Sequence, residues 1–268
     1  MPDRQLDLFA GAGERSESAA AAAVARSRPS MPELDDAALV AAIPGASLAD
    51  CRALTAEAGR RRLVPAIPAL EALCRRFRGF GLQRPIPEQT AALAALAAIG
   101  GFAAAAAAAR LIIERIVQGP GLAAALAAAA RLGVGLPGEV VARLLRDAAP
   151  EIRAGACGCA RPSPAVMPLL VDLLADVDRS VAREAALALG RMGRGEARPA
   201  IKRLLREAPA PAVIDAAIAV ADEECLVILG RLARTRPELA DAALDALDGA
   251  ESPRAATIAA AVRRSLAR

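Results

Sequence analysis

The sequence predicts an all-α fold built as an array of repeated helical hairpins, and three observations carry that prediction. The apolar content is 55%, yet aromatics make up only 1%, with four Phe and neither Tyr nor Trp. Apolar residues are therefore mostly alanine and leucine, the best helix formers, whereas sheets favour β-branched and aromatic side chains. Apolar segments of helix length recur between Gly, Pro and Ser punctuation at a spacing close to thirty residues, which calls for a repeat architecture before any other fold.

Residues 1–28 hold Gly, Ser, Ala and charge without sustained amphipathic period, and are expected to form a disordered tail carrying one short apolar peptide, Gln5-Leu6-Asp7-Leu8-Phe9. Order is expected over 29–268. Ser30 stands three residues before Glu33 at capping-box spacing, with Asp35 and Asp36 suited to a first turn, so a short helix is predicted from Ser30 to about Ile43, ended by Pro44-Gly45.

From Ser47 the helices come in pairs. First helices are predicted to begin near 47, 87, 119, 151, 179, 210 and 237, and second helices near 65, 102, 136, 163, 196, 223 and 252. Pro68, Pro168 and Pro199 are each followed by apolar residues two, five and six positions later, which places those residues on one helical face. A proline in the first turn forfeits no intrahelical hydrogen bond. Ser163-Pro164 and Ser252-Pro253 read as an N-cap followed by proline at the first helical position. The uncharged run of 19 residues at 91–109 has the nominal length of a membrane span, but it is alanine-rich and interrupted by Gly100-Gly101. It reads as two packed helices joined at that turn, with no membrane association expected.

The stretch from Asp176 to Leu205 resembles a HEAT-like repeat of the short type found in bacterial proteins and phycobilin lyases. Asp176 and Asp178 stand in the turn, Val181 and Ala185 on the first helix, Leu189-Gly190 at its end, and the second helix follows from Ala197. Units before residue 150 match mainly in period and alanine content. The resemblance implies stacked hairpins forming a right-handed α-solenoid of about seven units that binds a partner without fixing which one.

There is no His in the chain, which removes the commonest general base and metal ligand; no catalytic, cofactor or metal site is predicted. HEAT-like hydroxylases with paired His-Glu metal motifs are excluded on the same ground, and nothing specifies a tetrapyrrole site of the bilin-lyase kind. The five cysteines are odd in number and lack CxxC spacing, so no disulfide framework is expected and a reducing cytoplasm fits best. Shifted by 29 positions against the best unit, Ile152 matches Val181, Ala156 matches Ala185, Cys157 matches Ala186 and Cys159 matches Ala188. Both cysteines of the Cys157-Gly158-Cys159 run then fill small-residue slots on a helix.

Residues 52–84 contain eight arginines against Glu57 and Glu71, a balance of +6 where the whole chain carries +4. Arg60, Arg61, Arg62, Arg75, Arg76 and Arg78 form a candidate phosphate-binding patch, although arginines at helix C-termini also answer the helix dipole. Nucleic-acid binding is an alternative and not the favoured reading. A DNA-repair glycosylase is the weakest, because base extrusion generally relies on aromatic stacking.

Gln5-Leu6-Asp7-Leu8-Phe9 is similar to the short peptide by which bacterial replication and repair proteins dock on the β sliding clamp. That resemblance implies that Leu8 and Phe9 enter an apolar pocket, that Gln5 hydrogen-bonds at a neighbouring subsite, that Leu6 adds contact and that Asp7 stays polar. The competing reading is a short helix capping the exposed end of the solenoid. The functional expectation is a non-enzymatic adaptor for protein partners, tethered to the β sliding clamp through residues 5–9; the alternative is a general cytoplasmic scaffold without a link to DNA.

Overall fold

A computed structural model describes residues 34–250 and 252–266. Among the described residues there are fifteen α-helices and no strand. A short helix, α1 (Asp36–Ala42), precedes seven hairpins: α2 (Leu48–Arg60) with α3 (Ile67–Arg76), α4 (Pro87–Ile99) with α5 (Gly101–Ile113), α6 (Gly121–Arg131) with α7 (Gly138–Leu144), α8 (Pro150–Gly158) with α9 (Met167–Asp172), α10 (Arg179–Arg191) with α11 (Arg198–Glu207), α12 (Pro211–Ile218) with α13 (Glu223–Thr235), and α14 (Ala240–Gly249) with α15 (Pro253–Leu266). The hairpin number and the all-α class agree with the sequence, and the helix starts fall within a few residues of expectation.

The local signals act largely as read. Pro68, Pro168 and Pro199 each occupy the second position of their helices, where a missing N–H costs nothing. Gly100 and Gly101 adopt φ of +74° and +76°, a left-handed pair that lets α4 reverse directly into α5. No helix among the described residues is long and apolar enough to cross a membrane. Asp178 caps α10 by accepting from the N–H groups of Ser180 and Val181.

Two expected helix starts are corrected. Among the described residues the first helix begins at Asp36 and is capped by Asp35, whose carboxylate accepts from the Ala38 N–H at 2.7 Å; Ser30 and Glu33 lie outside the described residues. At Ser163-Pro164 a turn intervenes, and α9 starts only at Met167. Ser163 does not cap it with its side chain. Its carbonyl accepts from Val166 and Met167, while its Oγ is buried beside Gly138 without a partner. Pro253 does open α15, as read.

The hairpins stack into two layers. The first helices α2, α4, α6, α8, α10, α12 and α14 each pack against the next, and each second helix also packs on the first helix that follows it, as an α-solenoid requires. Small residues allow the close approach. Gly59 faces Ala95 and Ala98, Gly155 faces Leu126, and Gly190 lies so near α12 that a Cβ there would stand 2.6 Å from the Ala216 carbonyl oxygen. The residues aligned at 29 positions all serve this interior: Ile152, Ala156, Cys157 and Cys159, like Val181, Ala185, Ala186 and Ala188, are buried. One hydrophobic core runs from Leu39 to Val262.

Polar bridges fix the stacking register. Buried Gln89 on α4 donates through Nε2 to the Cys74 carbonyl at 3.0 Å and the Ile116 carbonyl at 3.3 Å, satisfying groups at the ends of α3 and α5 together. On the second-helix layer Arg110 of α5 forms a two-pronged pair with Glu71 of α3, at 3.0 and 2.7 Å. Lys202 of α11 meets Asp222 at 2.7 Å and Glu224 at 2.6 Å before and within α13.

Candidate interaction surfaces

The Gln5–Phe9 peptide lies outside the described residues, so its docking and end-capping readings stand as the sequence leaves them. The six arginines of the candidate phosphate patch are all described, and the structure does not gather them into one surface.

Arg60 and Arg61 end α2. Arg60 holds Glu57 through Nε at 2.8 Å and Nη2 at 2.6 Å. Arg61 donates from Nε to Glu57 at 2.6 Å and from Nη1 to Asp36 at 2.8 Å and the Leu34 carbonyl at 2.9 Å. Together Arg60 and Arg61 hold the Glu57 carboxyl down to about 2. Arg62 follows with φ of +52° and makes no ion pair among the described residues.

Arg75 and Arg76 end α3, at the other edge of the hairpin. Arg75 pairs with Glu114 at 2.6 Å, and Arg78 adds its field to the same carboxylate, which is held below its ordinary value. Arg76 donates to the Ala46 carbonyl at 3.0 Å and stacks over the Phe77 ring at 5.0 Å. Ala46 lies just ahead of α2, whereas Arg60–Arg62 lie at its far end. Thirteen helical residues therefore separate the two groups, about 20 Å at 1.5 Å per residue. Most of the patch is also engaged by carboxylates or carbonyls, as the C-terminal dipole reading of these arginines anticipates.

The cysteines offer no reactive site. All five are buried and free, and burial pushes the thiols of Cys74, Cys157 and Cys159 up to about 12. Cys159 Sγ donates to the Leu126 carbonyl across the first-helix layer at 3.5 Å. No group of His, Cys, Asp and Glu among the described residues is arranged to hold a metal ion.

Two grooves mark the surface of the central hairpins. One, of about 830 Å³, lies by the N-terminal ends of α6 and α8; Leu82, Ile112, Leu122 and Leu144 line it together with Arg115 and Arg143. Arg115 is the second non-glycine residue with positive φ, at +55°. The other groove, of about 680 Å³, runs along the edge where first helices turn into second helices, and contains Arg131, Arg161 and Arg191. The charge count along the chain passes over these three because they are far apart in sequence. Their common interval of thirty residues, close to the repeat period, is the signal that marks them.

No curated protein matches the chain. A family model described as HEAT repeats matches residues 138–222, from α7 through α12, which includes the Asp176–Leu205 unit. The seven stacked hairpins form an α-solenoid whose residues 138–222 match HEAT repeats, a repeat that at a general level serves as a scaffold for protein interaction.

Proposed function

We propose that this protein is a non-enzymatic adaptor whose solenoid holds a protein partner and whose Gln5–Phe9 peptide tethers it to the β sliding clamp during DNA replication or repair. The observation that carries this reading is the agreement of all five positions, Gln5, Leu6, Asp7, Leu8 and Phe9, with the clamp-docking form, in a stretch otherwise made of small and polar residues. Folding does not account for such identities in a segment that has little else apolar to pack with. The solenoid supplies a rigid surface from which a partner can be brought to the clamp.

The test is binding of the full chain to a purified β clamp by surface plasmon resonance, alongside Leu8→Ala plus Phe9→Ala. Saturable binding that the double substitution abolishes supports the tether. Absent binding, or binding the double substitution leaves unchanged, leaves a general scaffold without a link to replication.

A further inference from the structure

The edge groove holds three arginines from three successive hairpins. Arg131 is the last residue of α6, Arg161 follows the C-terminal turn of α8, and Arg191 is the last residue of α10. Because α6, α8 and α10 pack side by side, all three exposed arginines line a single groove.

Their charge is not consumed within the fold. Arg131 and Arg191 make no ion pair among the described residues. The one carboxylate in the groove, Glu184, is already paired with Arg183 at 2.7 Å. Arg161 is pinned in place without being neutralised: it donates to the Gly133 carbonyl at 2.7 Å and the Ala160 carbonyl at 3.0 Å, which leaves other N–H groups of its fork available.

Helix dipoles explain part of this set: Arg131 and Arg191 are the last residues of α6 and α10 and answer the partial negative charge there. Arg161 lies beyond the end of its helix, so that reading does not extend to it.

We infer that this groove binds the sugar-phosphate backbone of duplex DNA. One arginine from each of three hairpins presents charge along one groove, suited to a ligand that carries a row of charges, and the guanidinium fork suits phosphate oxygens. On the walls Gly133 is exposed, with nothing within 4 Å of where a Cβ would stand, and no aromatic ring lines the groove to stack unpaired bases. Contacts of this kind position a duplex without reading its sequence. The inference is independent of the clamp tether, since it rests on described residues alone.

The experiment is fluorescence anisotropy of the full chain with a labelled duplex of about 20 base pairs over a salt series. Expected is sequence-independent binding whose log affinity falls with log salt at a slope of roughly −2.7 for three phosphates, at about 0.9 each. Arg131→Glu plus Arg191→Glu is expected to weaken binding by more than about tenfold and to reduce the slope by about 2, with an unchanged circular dichroism melt. Arg131→Gln plus Arg191→Gln gives the same direction if charge reversal disturbs folding. Absence of duplex binding at low salt overturns the inference. So does binding that survives both double substitutions, that is lost instead on replacing Arg60, Arg61, Arg75 and Arg76 by Ala, or that is matched by single-stranded DNA or polyglutamate. Leu8→Ala plus Phe9→Ala leaves the expected signal intact, so failure here and failure of the tether are separately visible.

Discussion

Arg153 on α8 grips Asp176 in the turn before α10, donating from Nε and Nη2 to both carboxylate oxygens at 2.9 Å, while its Nη1 donates to the Asp147 carbonyl at 2.9 Å and the Ala148 carbonyl at 3.0 Å. One side chain thus ties together the start of one hairpin and the start of the next. Both partners are largely buried, with side-chain exposures of 14% and 7%. Removing either therefore strands the other. Arg153→Ala or Asp176→Ala is expected to destabilise the fold by about 1–3 kcal/mol, and the double variant by much less than the sum, measured by urea unfolding. Additive single effects would show that the two residues act independently.

Gly190 permits the closest approach in the first-helix layer. A methyl group there meets the Ala216 carbonyl oxygen at 2.6 Å and Ala216 Cβ at 3.0 Å, neither of which can rotate away. Gly190→Ala is expected to lower stability by about 1–3 kcal/mol in spite of alanine's better helix propensity. Gly45 has nothing within 4 Å and no positive φ, so Gly45→Ala provides the neutral control. Equal melting temperatures for the two variants would contradict the contact.

Arg62 and Arg115 occupy the left-handed position after α2 and α5, where Gly133 and Gly193 stand after α6 and α10. Each makes the paired backbone hydrogen bonds that end a helix, Arg62 and Leu63 to Gly59 and Ala58, Arg115 and Ile116 to Ile112 and Leu111. A side chain in this conformation costs about 1–2 kcal/mol, part of which glycine returns as entropy to the unfolded chain. Arg115→Gly is expected to raise stability by about 0.5–1 kcal/mol, read from chemical denaturation; a loss of stability would mean that its side chain contributes contacts of its own.

Acid unfolding follows from the paired carboxylates. Arg60 and Arg61 hold Glu57 at about 2 against an ordinary 4.5, Arg153 lowers Asp176, and Ser180 lowers Asp178. A lowered folded-state pKa contributes stability above the unfolded value and loses it as pH falls through the folded one. The urea midpoint is thus expected to hold down to about pH 4.5 and then decline toward pH 2, with Glu57→Gln flattening the decline. A midpoint that already falls near pH 6 would point to another group.

The buried thiols lead to a chemical test. Burial raises Cys157 and Cys159 to about 12, so a thiol reagent at about pH 8 is expected to label the native chain slowly and all five cysteines together on unfolding. Prompt native labelling at either position would reopen a reactive Cys157-Gly158-Cys159 site.

The sequence by itself determined what depends on near neighbours. Alanine and leucine set the helical class, Pro68, Pro168, Pro199 and Pro253 marked helix starts, and Gly100-Gly101 broke the long apolar run, because propensity and first-turn chemistry act within a few residues. Ser163-Pro164 misled for the same reason: the local pattern fits a cap, but the chain there spends three further residues in a turn before α9 begins. Only the tertiary structure decided which charges share a surface. Arginines close in sequence, Arg60–Arg62 and Arg75–Arg78, are carried to opposite ends of a hairpin by the length of α2, and Arg75 finds its carboxylate 39 positions away on Glu114. Stacking does the reverse for Arg131, Arg161 and Arg191. It brings residues thirty positions apart into one groove, which no count within a sequence window contains.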